Sequence, residues 1–309
     1  MYKVFIDGKA GTTGLRIYDR LSERDDIELI TLEEKDRKVL EKRIEAVNSS
    51  DISFLCLPDE ASIEVAKYAD KNVTLIDTST AHRTNPEWAY GFPELSPEHK
   101  EKIASSKRIA VPGCHASGFI ALIYPLVKSG IIPADIDLSC TSISGYSGAG
   151  KKAIGIYESD EKPHLWNSPR EYAIAQQHKH LKEMVKITGI EKSPIFLPYI
   201  SDYYSGMLVT VGLHQSQLFC GKSIADISNC YKELYTTDIV KYCENPDEDG
   251  FLSAMALSGK DCMQIFVSGN DERILLHARY DNLGKGASGA AIECMNIALN
   301  TDVKKGLEF

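Results

Sequence analysis

Cys114 stands in the segment VPGCHASGF, between a Pro112-Gly113 turn and an apolar stretch, FIALIYPLV, whose composition predicts a helix from about Ala116 to Lys128. A thiol at a helix start lies in the partial positive charge of main-chain N–H groups that have no partner within the helix. That field lowers the thiol pKa and favours the nucleophilic thiolate. A cysteine after a turn can equally be a small buried filler, so the choice depends on what else the chain offers. His178 and His180, in QQHKHLKEM, are candidate bases for the thiol because imidazole titrates near neutrality. On a helix over about Arg170 to Lys186, residues two apart do not share a face. One histidine at most is therefore expected to aim at a site, and a metal pair is not expected. His115, beside the cysteine, adds a titratable neighbour or is a bystander that follows it.

Other residues suit phosphate and nucleotide binding. DGKAGTTG places Gly8, Gly11 and Gly14, with Thr12 and Thr13, where a first strand, KVFI, gives way to a helix, GLRIYDRLSE. Glycines there allow a tight turn and let phosphates approach main-chain N–H groups at the helix start. The second strand, IELITL, is followed by Glu33, Glu34, Lys35, Arg37 and Lys38, where a ribose 2′ group would be read. An acid there favours a free hydroxyl and a base favours a 2′-phosphate, so charge alone leaves NAD and NADP open. The fourth strand runs into DTSTAHR, which puts Asp77, Ser79, Thr80 and Arg83 at the carboxyl edge of a sheet. Arg83 can clamp a phosphate or carboxylate with two parallel bonds. ISGYSGAGKKA adds Ser144, Gly148 and Lys151 in a loop that can present N–H groups to an anion or a cofactor amide.

The elements that must position these residues alternate: KVFI, GLRIYDRLSE, IELITL, RKVLEKRIEAVN, ISFLCL, ASIEVAKYAD and VTLID, with RIAV leading into Cys114. Short strands alternating with amphipathic helices predict an α/β fold with a doubly wound parallel sheet. Beyond Lys128 longer strands appear, DLSCTSISG, SPIFLPYI, MLVTVGLH, DCMQIFVSG and RILLHARYDN, several with period-two alternation. They predict a second, α+β domain with a mixed or antiparallel sheet covered on one face, with helices near Arg170 to Lys186 and Ala225 to Leu234. The closing segment KGASGAAIECMNIALN reads as a helix that returns to the first domain. A chain of 309 residues with 43% hydrophobic and 26% charged residues suits two soluble domains. Its net charge of -9 argues for small-molecule partners rather than nucleic acid. No apolar run reaches membrane-spanning length and no basic leader opens the sequence, so a cytoplasmic protein is expected. Eight cysteines with no CxxC pair predict free thiols and no zinc site.

Taken together, FIDGKAGTTGLRI, FLCLPD, DTSTAHR, AYGFPEL, VPGCHASGF, SGYSGAGKK, HKHLKEM and DNLGKGASGAA, in this order, resemble the N-acetyl-gamma-glutamyl-phosphate reductase family in its shorter form, over essentially the whole chain. The resemblance implies a Rossmann-type NADP-binding domain over 1–115, completed by a C-terminal helix within 285–309, and a catalytic and oligomerisation domain over 116–284. It implies an NADP(H)-dependent enzyme of arginine biosynthesis in which Cys114 takes the acyl group of N-acetyl-glutamyl phosphate as a thioester. Hydride then yields the semialdehyde, with His178 or His180 serving the carbonyl oxygen and Arg83 the leaving phosphate. Ser144 and Lys151 are carried over as substrate contacts, and Gly8, Gly11, Thr12, Thr13, Gly14, Ser79, Gly148 and Asn282 as cofactor contacts. A homodimer or homotetramer is implied. Much of the family has Asn-Pro-Gly-Cys-Tyr where this chain has Val111 and His115 at the outer positions. Two other readings are a related semialdehyde dehydrogenase for aspartyl or aminoadipyl phosphate, and a cysteine hydrolase or acyltransferase on a Rossmann-type scaffold.

Overall fold

The computed structural model describes residues 1–309, which divide into two compact units. The first unit comprises Met1–Gly113 with Ala287–Glu308. It carries β1 (Tyr2–Asp7), α1 (Thr12–Ser22), β2 (Ile27–Ile30), α2 (Leu40–Asn48), β3 (Ile52–Leu55), α3 (Asp59–Tyr68) and β4 (Thr74–Asp77). β5 (Ala89–Tyr90), α4 (Pro97–Ser105) and β6 (Arg108–Ala110) follow. The strands form one parallel sheet in the order β2-β1-β3-β4-β6-β5. Alternation along each strand divides the core in two. Val4, Ile6, Ile52, Phe54, Ile76 and Ile109 point to one face, where α1 packs through Ile17 and Leu21. Phe5, Leu55 and Leu75 point to the other, where α2 and α3 pack through Val47 and Val65. Helices on both faces make the sheet doubly wound, as the strand–helix alternation predicts.

The second unit comprises Cys114–Gly286 with Phe309. Its elements begin with α5 (Cys114–Lys128), β7 (Ser139–Gly145), α6 (Lys151–Tyr157), β8 (Arg170–Glu171) and α7 (His180–Thr188). β9 (Ile195–Ser201), β10 (Met207–His214), α8 (Ile224–Leu234), β11 (Val240–Tyr242), β12 (Met263–Gly269) and β13 (Arg273–Tyr280) complete it. A seven-stranded sheet runs β11-β12-β13-β10-β7-β9-β8, mixed in direction, and one face alternates buried with the other less buried, as the period-two pattern predicts. The last helix, α9 (Gly289–Ala298), lies in the first unit, where its small residues pack on α1, α4 and β4.

α5 is apolar nearly all round and buried, as its sequence requires. Pro125 lies inside it and has no N–H to give the carbonyl of Ala121. The hydroxyl of Tyr235, the residue that follows α8, fills that vacancy, donating to Ala121 O at 2.6 Å, and Tyr231 on α8 donates to Leu122 O at 2.6 Å. The helix expected over Arg170 to Lys186 is corrected by the structure: Arg170–Glu171 is a strand and α7 begins only at His180. The intervening segment turns through Ala173 and Gln176, both at positive φ. The Gln176 side-chain amide pairs with both main-chain groups of Phe196 at 2.7 and 2.8 Å, which ties this segment to β9.

Candidate active site

In the first unit β1 ends at Asp7 and the chain turns sharply through Gly8, at φ 85°, before Gly11 caps α1. A Cβ on Gly8 would lie 2.2 Å from Cys56 O, and one on Gly14 would lie 2.6 Å from Gly8 O, so neither position accepts a side chain. Gly11 N–H donates to Gly8 O at 2.9 Å and closes the turn. Thr12 and Thr13 form the first positions of α1 and are half-buried. Beneath the turn, the buried Arg43 donates to Asp7 at 2.8 Å. Burial raises the Asp7 pKa, against the lowering effects of Arg43 and the Gly8 N–H. Beside the loop opens a cavity of about 290 Å³ lined by Gly8, Lys9, Tyr18, Glu34, Arg37 and Lys38 among others. A glycine turn that a Cβ would fill, opening a helix and flanked by a cavity with cationic groups beyond the second strand, fits a dinucleotide.

At the carboxyl end of β4, Asp77 is fully buried and accepts from Ser62 Oγ at 2.7 Å, Ser79 Oγ at 2.7 Å and Ser79 N–H at 2.9 Å, and it pairs with His82 Nδ1 at 2.6 Å. The Ser79 hydroxyl is thus committed to the loop itself. Arg83 is also built into the loop, its Nε on Val111 O and its Nη2 on Thr78 O, both at 2.8 Å. It fixes the strand end three residues ahead of Cys114. Asp77 and His82, with His82 stacked on Trp88 at 3.9 Å, carry no distinguishing signal in the sequence beyond lying within DTSTAHR.

In the second unit Cys114 is the first residue of α5, where the turn-plus-helix pattern predicts a reactive thiol. The Tyr280 hydroxyl clasps that first turn, donating to the Cys114 carbonyl and accepting the Gly118 N–H at 3.1 Å. Gly286 backs Cys114 closely, since a Cβ there would stand 3.2 Å from Cys114 Cβ. His178 and His180 do meet, with ring centroids 4.6 Å apart and 5.6 and 5.8 Å from the His115 ring. The expectation that only one could aim at a common place is therefore corrected. It assumed a helix through both, whereas His178 precedes α7 and His180 opens it. The His180 N–H donates to His178 Nδ1 at 3.2 Å. His115 is no bystander either: it is buried, with Nδ1 2.7 Å from Ser142 Oγ and Nε2 2.6 Å from Tyr172 Oη. Ser142, Tyr172 and Tyr280 escaped the sequence reading because nothing local marks them.

Of the remaining candidates, Ser144 is buried with its hydroxyl on Gly145 O at 3.1 Å, while Gly148 and Lys151 are exposed. Asn282 is buried, accepting Gly206 N–H at 3.0 Å and donating to Ser147 Oγ at 2.9 Å, so it ties the glycine loop to the β9–β10 turn. Its amide is used within the protein. No group of three or more metal-ligating side chains is assembled, and no helix is long and apolar enough to cross a membrane.

Residues 3–103 match the NAD binding domain of semialdehyde dehydrogenases, and residues 114–282 match their dimerisation domain. The N-acetyl-gamma-glutamyl-phosphate reductase 2 of Nostoc sp. is 42% identical over 99% of both chains. The N-acetyl-gamma-glutamyl-phosphate reductase of Brucella ovis is 41% identical over 96% of this chain and 98% of its own. Among solved structures, aspartate semialdehyde dehydrogenase II of Vibrio cholerae complexed with ASA superposes with a TM-score of 0.71 at 16% identity, covering 97% of this chain and 98% of its own. Aspartate semialdehyde dehydrogenase with NADP from Candida albicans gives 0.68 at 16% identity over 99% of both chains. At that identity the likeness is one of fold.

Proposed function

The chain belongs to the N-acetyl-gamma-glutamyl-phosphate reductases of the semialdehyde dehydrogenase family, and on that premise we propose how its residues divide the reaction. The enzyme reduces N-acetyl-glutamyl phosphate to the semialdehyde with release of phosphate, a step of arginine biosynthesis. The observation that carries the residue assignments is Cys114 at the start of α5, with two histidines brought into the same unit.

Cys114 thiolate attacks the acyl carbon, the C–S bond forms, the bond to phosphate breaks, and a thioester remains. His180 takes the thiol proton. His178 Nδ1 is occupied by the His180 N–H, so its neutral-state proton lies on Nε2 and it donates to the carbonyl oxygen that becomes negative in each addition. When bound, the reduced nicotinamide supplies the hydride that turns the thioester carbon into a tetrahedral one. Collapse breaks the C–S bond and returns the thiolate of Cys114 with the aldehyde. Gly8, Gly11, Thr12, Thr13 and Gly14 hold the cofactor pyrophosphate, and Ser79, Gly148 and Asn282 are proposed as outlying cofactor contacts. Arg83, Ser144 and Lys151 are proposed on motif and charge as substrate contacts. We assign NADP(H) rather than NAD(H) because Arg37 and Lys38 line the cavity past β2. The less buried face of the seven-stranded sheet suits a homodimer or homotetramer, and the cytoplasm is the proposed location.

Mixing the protein with N-acetyl-glutamyl phosphate and no reduced nucleotide tests the assignment. One acyl group should appear in the intact mass, disappear on adding NADPH, and be absent in Cys114→Ser. Phosphate release that continues in Cys114→Ser would overturn it.

A further inference from the structure

Lys9 is the one charged side chain within the glycine turn from Gly8 to Gly14. Its ammonium stands 3.0 Å from the centre of the Tyr18 ring. The charged side chains that line the cavity beside the turn are Asp7, Lys9, Glu34, Arg37 and Lys38. Asp7 is paired with Arg43 at 2.8 Å and Glu34 with Arg37 at 3.0 Å. Both acids of the cavity are therefore engaged, and Lys9 and Lys38 face it as two positive charges that no carboxylate balances. A phosphate monoester brings about two negative charges near neutrality, whereas a ribose hydroxyl brings none. The main chain under Lys9 is fixed, because Gly11 N–H closes the turn on Gly8 O at 2.9 Å. Tyr18 is fixed as well, since it lies on α1 and packs against the core of the first unit. The ring face engages one side of the ammonium, and the remaining N–H donors point away from it. Holding the lysine there removes side-chain freedom that it would otherwise lose on binding an anion. A partly exposed ring holds a cation less strongly than a phosphate does through charge-assisted hydrogen bonds, so Tyr18 places the ammonium without competing with a ligand.

We propose that Lys9, held by the Tyr18 ring, is a third cation for the 2′-phosphate of the cofactor beside Arg37 and Lys38. Tyr18 is a positioning residue that acts through Lys9. The proposal rests on the assignment of NADP(H), and it extends that assignment from the loop past β2 to the glycine turn. The turn then has two tasks, with its main-chain N–H groups serving the pyrophosphate and its one charged side chain serving the 2′-phosphate.

Calorimetric titration of the whole protein with adenosine 2′,5′-bisphosphate and with adenosine 5′-monophosphate tests this without substrate or turnover, because the two probes differ only in the 2′-phosphate. The parent should bind the bisphosphate more tightly. Lys9→Met keeps the stem and removes the charge, and it should weaken the bisphosphate about tenfold while leaving the monophosphate within about twofold. Tyr18→Leu should weaken the bisphosphate alone by about threefold, and Tyr18→Phe, which keeps the ring face, should match the parent. An unchanged bisphosphate affinity in Lys9→Met overturns the proposal, and the parent's preference then leaves the NADP(H) assignment standing. Equal losses with both probes overturn it too, because they give Lys9 to the 5′-phosphate. A parent with no preference between the probes would sink the NADP(H) assignment and the proposal with it. Equal affinities in Tyr18→Leu and Tyr18→Phe overturn the part given to the ring. Should Tyr18→Leu fail to fold, Tyr18→Met takes its place, with the retained monophosphate affinity as the sign of an intact site.

Discussion

Cys114 differs from the other thiols by its backbone setting rather than by its residue type. Burial raises the pKa of Cys140 and pushes Cys56 up to about 12, which keeps both as inert thiols. Cys114 instead opens α5, at the helix end whose main-chain N–H groups lack partners within the helix. The proposed preference for NADP(H) also turns on single residues. Glu34 pairs with Arg37 at 3.0 Å, so the acid that would read a free ribose hydroxyl is partly neutralised, while Lys38 lines the same cavity with no carboxylate bound. Two cations against one acid favour a 2′-phosphate. Replacing both, Arg37→Ala with Lys38→Ala, should raise KM for NADPH roughly tenfold and leave KM for NADH nearly unchanged, which steady-state kinetics with each nucleotide would measure. Equal loss with both nucleotides would refute the assignment.

At the scale of elements, the strand that delivers Cys114 and the helix that carries it depend on tight backbone approaches. Gly118 sits in the first turn of α5, and a Cβ there would lie 2.7 Å from both Tyr280 Oη and Val209 Cγ2. Gly118→Ala should therefore push Tyr280 off the turn and destabilise the fold by about 1–3 kcal/mol, as overpacking of a filled core does. Urea denaturation would show it, and an unchanged midpoint would count against the clasp. The alternating strands and helices of the first unit were legible because each strand is apolar on both faces and each helix is amphipathic. Cys114 and the glycine turn were legible for the same kind of reason, since turn chemistry and helix starts are local. The region before α7 was not: its turn is held by Gln176 reaching β9, a partner twenty residues on that no local pattern announces. That misplaced helix separated His178 from His180 on paper, although the fold brings them together. Tyr280 and Ser142 were hidden similarly, because what makes them matter is the register of distant strands.

On the scale of the whole chain, the two ends of the sequence meet in the first unit, and a buried arginine joins them. Arg24 binds Asp26 through Nε and Nη2 at 3.0 and 2.8 Å, and its Nη1 reaches Asn296 at 2.6 Å and Lys305 O at 3.2 Å. Lys305 returns the contact to Asp26 at 3.1 Å, and Arg20 holds Glu308 at 2.7 Å. The segment after α9 is thereby tied to the turn between α1 and β2. Arg24 first, with Lys305, holds the Asp26 carboxyl well below its usual value of 3.8. An acid whose pKa is lower when folded stabilises the fold above its unfolded pKa, and the contribution fades as pH falls below that value towards the folded one. Asp7 has the opposite sign, because burial raises its pKa and outweighs Arg43. The acid unfolding of the parent protein mixes the two, so the informative quantity is a difference. The melting temperature of the parent minus that of Asp26→Asn should be positive at pH 7 and shrink steadily as pH is lowered from about 4 to 3, because Asn cannot take up the proton. Asp7 is common to both proteins and cancels. A gap of constant size from pH 7 to pH 3 would show that Asp26 acts there through shape and not through charge.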